Sequence, residues 1–439
     1  MAYTHTTFAQ AKAQLAAWLH DPNNVHWSDA ELGNYITETL RTWGVFANYW
    51  KERGAFDTAA STPFYDLSTE LPSLRAQTLT DSSLVTTIQY QLLEPATGVS
   101  WTGTEMFTLA DVTNALQRRR NQFLVETGMV LSHGTQAVGA PADGRFLTAD
   151  TVIDIRHLAW VDADGYYRVL SREDEWGMQS YNFNWVQEPG TPGAYSVSTG
   201  PPLSVQLYPA PADVGSVDLL TISSGAALDP ASGIAMGLPN DWVWLCKWGA
   251  LADLLAKDGQ ARDPQRAQYC QQRWNEGLQL AKASTSVLAA RINNKSVPVV
   301  SLEEIDNYDA SLWMNHTGIP SKMGMAGQNI VAFWKVPDGV YGISVDVLRN
   351  APVPVADGDF LEVGREELEA IIAYAAHLAA FKMGGQEFFM TMPEYARFLN
   401  LAMVRNERLK AAAINWESLR DRVPRQEEMN PRREELVEK

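Results

Sequence analysis

The chain of 439 residues is long enough for two or three hydrophobic cores, and its 46% apolar content and mean hydropathy of −0.21 are those of an ordinary globular protein. A net charge of −17 argues against a protein that grips nucleic-acid phosphates, though not against one that surrounds nucleic acid without holding it. The longest apolar run, AIIAYAAHLAAF at 370–381, is too short to span a bilayer, and the N-terminus has neither the basic nor the apolar region of a secretory signal, so no membrane association is expected.

Residues 8–53 read as helical. TTFAQAKAQLAAWL comes first, then a helix capped by Ser28 or Asp29 with a stripe of Leu32, Ile36, Leu40 and Trp43. A short strand is expected in PFYDL (63–67), a helix in SLVTTIQYQLLEP (83–95) ended by its proline, and a longer helix in FTLADVTNALQRRRNQFLVETGMV (107–130). From about 140 the pattern turns to strands, TVIDIRHLAWVD, YYRVLS, LSVQLYPAP and VDLLTISS, punctuated by Gly, Pro and Asp.

A helix hairpin follows over 240–290. Its first member is striped by Leu245, Trp248, Ala252 and Leu255, its second by Ala267, Cys270, Trp274, Leu278 and Ala281. Asn240 or Asp241 can cap the first helix and Gly259 can close it, while Asp263-Pro264 is a cap followed by a first-turn proline. Beyond 296 come strand signals in VAFWKV and VYGISVDVL, then helices over 365–416. At an offset of about 125 residues, 241–259 lies over 367–384 and the strands at 219–222 lie over 344–347, with Tyr269 opposite Tyr395 after a one-residue slip. Identity is sparse, so the pairing leaves a duplication open. From Ser418 onward, six basic and six acidic groups with little apolar content read as a solvated tail or one that folds on a partner.

The search for chemistry is mostly negative. There is no P-loop, G-x-S-x-G elbow, H-E-x-x-H or C-x-x-C, and the seven histidines show no pair at ligand spacing. DADGYYRVLSRE starts like a calcium loop but has Tyr167 where glycine is required, so Asp164-Gly165 is better read as a hairpin turn. Abundant carboxylates leave a glycosidase pair open without singling one out. Cys246 and Cys270 lie in apolar stripes and read as buried free thiols, His377 as a hydrogen-bonded core group, and the 15 tryptophans as core and subunit contacts before a sugar platform. No catalytic residue, cofactor or metal is expected.

One feature asks for a partner. In the QRRRNQ stretch, Arg118, Arg119 and Arg120 follow a stripe of Leu109, Val112 and Leu116 that continues at Phe123. Arg119 and Arg120 flank or enter that stripe and need acceptors, in an internal ion pair or in a contact between subunits. In the tail, Arg420, Arg422, Arg425, Arg432 and Arg433 offer forked donors to carboxylates on a neighbouring protein.

The strands and hairpin together, with Leu207-Tyr208-Pro209-Ala210-Pro211 before Pro239-Asn240-Asp241, Gly249-Ala250-Leu251-Ala252 and Arg266-Ala267-Gln268-Tyr269, resemble the head-to-tail adaptor (neck, or tail-tubular A-type) proteins of tailed bacteriophages. The resemblance covers about 150–285 and extends to the N-terminal helices. It implies an α+β fold in which helical hairpins and a β-rich insert form the wall of a cyclic ring, typically a homododecamer; the offset of 125 residues leaves open a second strand-plus-hairpin unit at the C-terminus, in a region longer than a small adaptor needs. The parts expected are an N-terminal helical part (1–139), a β-rich domain (140–235), the adaptor hairpin (236–295), an extension (296–417) and a docking tail (418–439).

The implied partners are a portal protein above and a tail tube or nozzle protein below, with fibres as a further candidate. DNA would pass through an acidic lumen without specific binding. Such a protein is a non-enzymatic part of the virion neck or tail, assembled in the host cytoplasm. The runner-up readings are a tail-tube hub or fibre-attachment protein and, from another class, a Trp-rich carbohydrate-binding protein or glycoside hydrolase.

Overall fold

The computed structural model describes residues 5–95, 100–139, 144–181, 189–198, 200, 202–307 and 312–406. The tail from Ser418, with Arg420, Arg422, Arg425, Arg432 and Arg433, lies outside the described residues. Among the described residues eight helices run eleven residues or more: α1 (Phe8–Trp18), α2 (Asp29–Ala47), α3 (Asp81–Leu92), α4 (Leu109–Thr127), α5 (Val243–Ala256), α6 (Pro264–Ala283), α7 (Arg365–Ala380) and α8 (Met392–Arg405). None is long and apolar enough to cross a membrane. With the sheets below, the fold is mixed α+β.

Local signals start and stop these helices. Thr7 with Gln10 and Thr108 with Asp111 form reciprocal capping boxes, and Ser28 accepts the Glu31 N–H. Asp263 accepts the Arg266 N–H and Pro264 fills the first turn of α6. Gly128, with φ of 57°, closes α4 in the left-handed conformation that glycine adopts without steric cost.

Two expected details differ. The helical reading of 8–53 ends early, because Asn48 turns left-handed and residues 51–53 belong to a strand, Lys51–Asp57. Asn240 and Asp241 do not cap α5: they form a 3-10 turn, where Asn240 Oδ1 accepts the N–H groups of Thr78 and Leu79 and the Asp241 carboxylate accepts the Ala351 N–H. Distant backbone donors have taken the oxygens that a local cap would use.

Four four-stranded sheets make two sandwiches, beside a two-stranded pair, Thr317–Gly318 with Val336–Pro337. In the first, a sheet ordered Ser132–Val138, Gly215–Ser223, Val152–Val161, Tyr167–Val169 faces one ordered Arg145–Leu147, Ser204–Tyr208, Ala194–Val197, Ser171–Arg172. Ile155, Leu158, Trp160 and Val217 from one sheet pack on Phe146, Tyr195, Val205 and Leu207 from the other. Asp164-Gly165 lies in the loop of the Val152–Val161/Tyr167–Val169 hairpin, where Asp162 accepts the Asp164 and Tyr166 N–H groups.

The second sandwich joins stretches far apart in the chain. Lys51–Asp57, Gly342–Leu348, Val287–Ile292 and Lys295–Val297 form one sheet; Phe64–Asp66, Ile330–Trp334, Lys322–Ala326 and Val299–Ser301 form the other. Phe56, Ile343 and Val345 meet Tyr65, Val331 and Phe333 between them. The N-terminal part thus supplies the strand expected in PFYDL and a further one at Lys51–Asp57, and through them it shares both sheets with residues beyond 296.

All eight helices pack in a single core running from Phe8 to Ala402 and including Trp43, Trp242, Trp248, Trp274 and Trp313. Each fully buried aliphatic or aromatic side chain contributes about 1.5–3 kcal/mol, so most of the tryptophans are accounted for by packing. Among the described tryptophans Trp176, at 82% exposed, and Trp18, at 42%, are the exceptions.

Candidate functional site

The helix α4 lies across both members of the α5–α6 hairpin, and its charges fix it there. At the ends, Lys257 reaches Asp111 at 2.9 Å and Lys282 reaches Glu126 at 3.1 Å. In the middle, Arg119 forks onto Asp253 through Nε (2.9 Å) and Nη2 (2.5 Å), adds Gln271 at 3.0 Å, and lies 5.1 Å over the Trp274 ring. Its stem runs over Gly249, where a Cβ would stand 2.9 Å from it. Burial opposes ionisation of Asp253, but the bonds from Arg119 and Arg118 outweigh it and hold the carboxyl below its ordinary range.

Arg120 points the other way. Its Nη2 donates to the carbonyls of Ser224 and Ala226 (2.9 Å to the latter), just past the end of the strand Gly215–Ser223. One residue of α4 therefore ties down the hairpin and the next ties down the first sandwich. Arg118 also reaches Asp253 at 2.6 Å, but its side chain is 64% exposed. The acceptors that the sequence called for at Arg119 and Arg120 are present within the chain.

A second polar group, which the sequence did not single out, lies on the opposite face of the hairpin. Lys247 of α5 is wholly buried and donates to both Glu38 oxygens of α2, at 2.7 and 2.5 Å. Arg273 of α6 donates to the hydroxyls of Tyr374 and Tyr395, and Tyr395 donates to Glu276 at 2.9 Å. Tyr269 and Thr391 hold the two ring nitrogens of His377, at 2.8 and 2.7 Å. Lys382 pairs with Glu31 at 3.0 Å, both buried. Arg273 was detectable by the reasoning applied to Arg119: it interrupts an apolar stripe, between Cys270 and Trp274.

These groups are locked, not reactive. Burial, helped by the Arg273 charge, pushes His377 down to about 3, so it stays neutral. Burial pushes the Cys246 thiol up to about 12 and raises Cys270 as well, and both are free buried thiols. No group of three potential metal ligands occurs among the described residues. A cavity of about 450 Å³ on the first sandwich is lined by Arg145, Arg172, Glu173, Asp174 and Glu175, beside the exposed Trp176. It presents charge without a nucleophile held against a base.

Residues 82–295 match the SU10 adaptor protein family. The match takes in α4, the first sandwich, the hairpin and the strand after it, so every partner of Arg118, Arg119 and Arg120 lies inside it. It supports a phage adaptor-type protein with a structural role. No curated protein matches the chain.

Proposed function

We propose that the protein is the head-to-tail adaptor of a tailed-phage virion, a non-enzymatic ring that docks under the portal, joins the capsid to the tail tube or nozzle, and surrounds the DNA on its way out. The observation that carries this reading is the adaptor-family match over 82–295, which encloses a complete unit of helix, sandwich and hairpin. A net charge of −17 suits a lumen along which a polyanion slides without sticking. Of the described candidate interface arginines, Arg118, on Asp253, is the one exposed enough to meet another subunit as well, and the tail arginines from Arg420 to Arg433 are assigned to docking on the portal or a neighbour.

The test is reconstitution. Full-length protein mixed with portal particles should co-sediment with them and add a ring in negative-stain images, while duplex DNA should bind weakly even at low salt. Protein that never joins portal particles, or that binds DNA with a steep salt dependence, would overturn the reading.

A further inference from the structure

The same topology occurs twice in this chain. In the first unit α3 and α4 lead to Ser132–Val138 and α5 and α6 follow Gly215–Ser223; in the second, α1 and α2 lead to Lys51–Asp57 and α7 and α8 come after Gly342–Leu348. Strand for strand the four-stranded sheets correspond, with the strand preceding the helix pair second in order in both, and the second unit adds a short parallel pair, Thr317–Gly318 with Val336–Pro337. Even the exception repeats. Ser171–Arg172 pairs parallel with its neighbour in one sandwich, Val299–Ser301 does so in the other, and the other pairings within the four-stranded sheets are antiparallel. Isolated bridges, Thr80 to Ala235 and Thr7 to Phe360, join the residue before the first helix to the stretch before the hairpin in each unit. The first unit, about 80–283, is inserted into the second between residues 66 and 287.

The two units also touch, and they do so asymmetrically. The outer face of α2 is covered by the hairpin of the first unit: Glu38, on Lys247, is only 7% exposed, and Trp244 and Asn34 line the same junction. Among the described residues the corresponding face of α4 has no such cover. Counting from the caps Ser28 and Thr108, the counterpart of Glu38 is Arg118, with its 64% exposure. The hairpin face that does the covering has its counterpart on α7. At the offset of 125 residues Glu369 stands where Trp244 does, and its side chain is 59% exposed. The chain therefore carries one completed junction and, on α4 and at the start of α7, an exposed arginine and an exposed glutamate at positions whose counterparts line it, while the counterpart of Lys247 itself is Ile372, which is buried within the chain.

We infer that the chain is two copies of one adaptor-type unit, and that a second copy of the chain docks by repeating the internal junction, its α7–α8 face with Glu369 on the α4 face with Arg118. The inference rests on the ring-wall reading for its biological setting, and it adds that a ring shows two lobes per chain. An interface that repeats head to tail is the kind that closes a ring.

Self-association of the full chain at high concentration, followed by sedimentation velocity, tests the contact without any portal. Arg118→Glu and Glu369→Arg should each weaken association about tenfold or more, and the charge-swapped double variant should recover it. Unchanged melting temperatures keep folding out of the comparison. Because Arg118→Glu places a second acid beside Asp253, Glu369→Lys at its exposed pair with Arg397 serves as the independent variant. Association that ignores both charge reversals, no association at all, or rings with as many lobes as chains would overturn the inference. A chain that self-associates in this way yet never joins a portal would instead refute the adaptor reading.

Discussion

Asp241 and His377 are both buried where charge is unwelcome, yet they bias stability in opposite directions. Burial pushes Asp241 up to about 7, against the pull of the Ala351 N–H, Arg41 and Arg75. A raised carboxyl means that its contribution is fully present below its ordinary value near 3.8 and is lost as pH rises through about 7. His377, lowered to about 3, contributes fully above 6.5, and that contribution is lost as pH falls through about 3. Between pH 4 and 6.5 the two slopes therefore oppose. Asp241→Asn should remove the decline toward neutral pH and His377→Gln the decline toward acid, each worth on the order of 4 kcal/mol across its full window. Urea midpoints from pH 4 to 8 would check this; variant curves parallel to wild type would count against it. The core role of His377 was legible from its place in an apolar helix. That of Asp241 was not, because the N–H it accepts, from Ala351, lies 110 residues away.

Close approach sets the geometry of the α5–α6 hairpin. A Cβ on Gly277 would stand 2.3 Å from Leu245 Cδ1, and one on Gly249 would stand 2.7 Å from the Trp274 ring. Gly277→Ala gains about 1 kcal/mol of helix propensity but forces a shift in a core residue, a cost of about 1–3 kcal/mol. A net loss of stability is expected. Combining it with Leu245→Ala, which alone should cost about 2–5 kcal/mol, should give markedly less than the sum. Additive losses in thermal or urea melts would mean that the two side chains do not compete for space. Three-residue and four-residue apolar spacing made both hairpin helices readable, as β-rich runs punctuated by Gly, Pro and Asp did for the strands at 152–161 and 215–223. Period alone could not tell that Lys247 and Arg273, sitting among those stripes, face buried acceptors on α2, α7 and α8, since partners are fixed by tertiary packing.

At the scale of the whole molecule, the family match and the fold divide the chain differently. The matched segment holds one complete sandwich and hairpin, whereas residues 8–66 have their sheet partners beyond 321. A fragment of residues 78–295 should therefore melt cooperatively, although with Trp244 and Trp248 uncovered. The longer fragment 1–295 should bind a hydrophobic dye through its unpaired N-terminal elements, and co-expression with 296–439 should suppress that binding. Indistinguishable melts and dye binding for the two fragments would refute this division. The sequence offset of 125 residues hinted at a repeat at the hairpins. Its N-terminal half stayed hidden because the helices there match at a different offset, 80, after the insertion.

The nesting also imposes a schedule on synthesis. Lys51–Asp57 leaves the ribosome first, and its partner Gly342–Leu348 follows about 300 residues later. At about 5–20 residues per second the strand waits roughly 15–60 s, while an entire unit is made and folds in between. An unpaired strand edge is an aggregation hazard, which charged side chains blunt. In KERGAFD, Lys51, Glu52, Arg53 and Asp57 remain exposed even in the finished sheet, and only Gly54 and Phe56 turn inward. The composition of this strand suits an early arrival that must stay soluble until the last part of the chain is born.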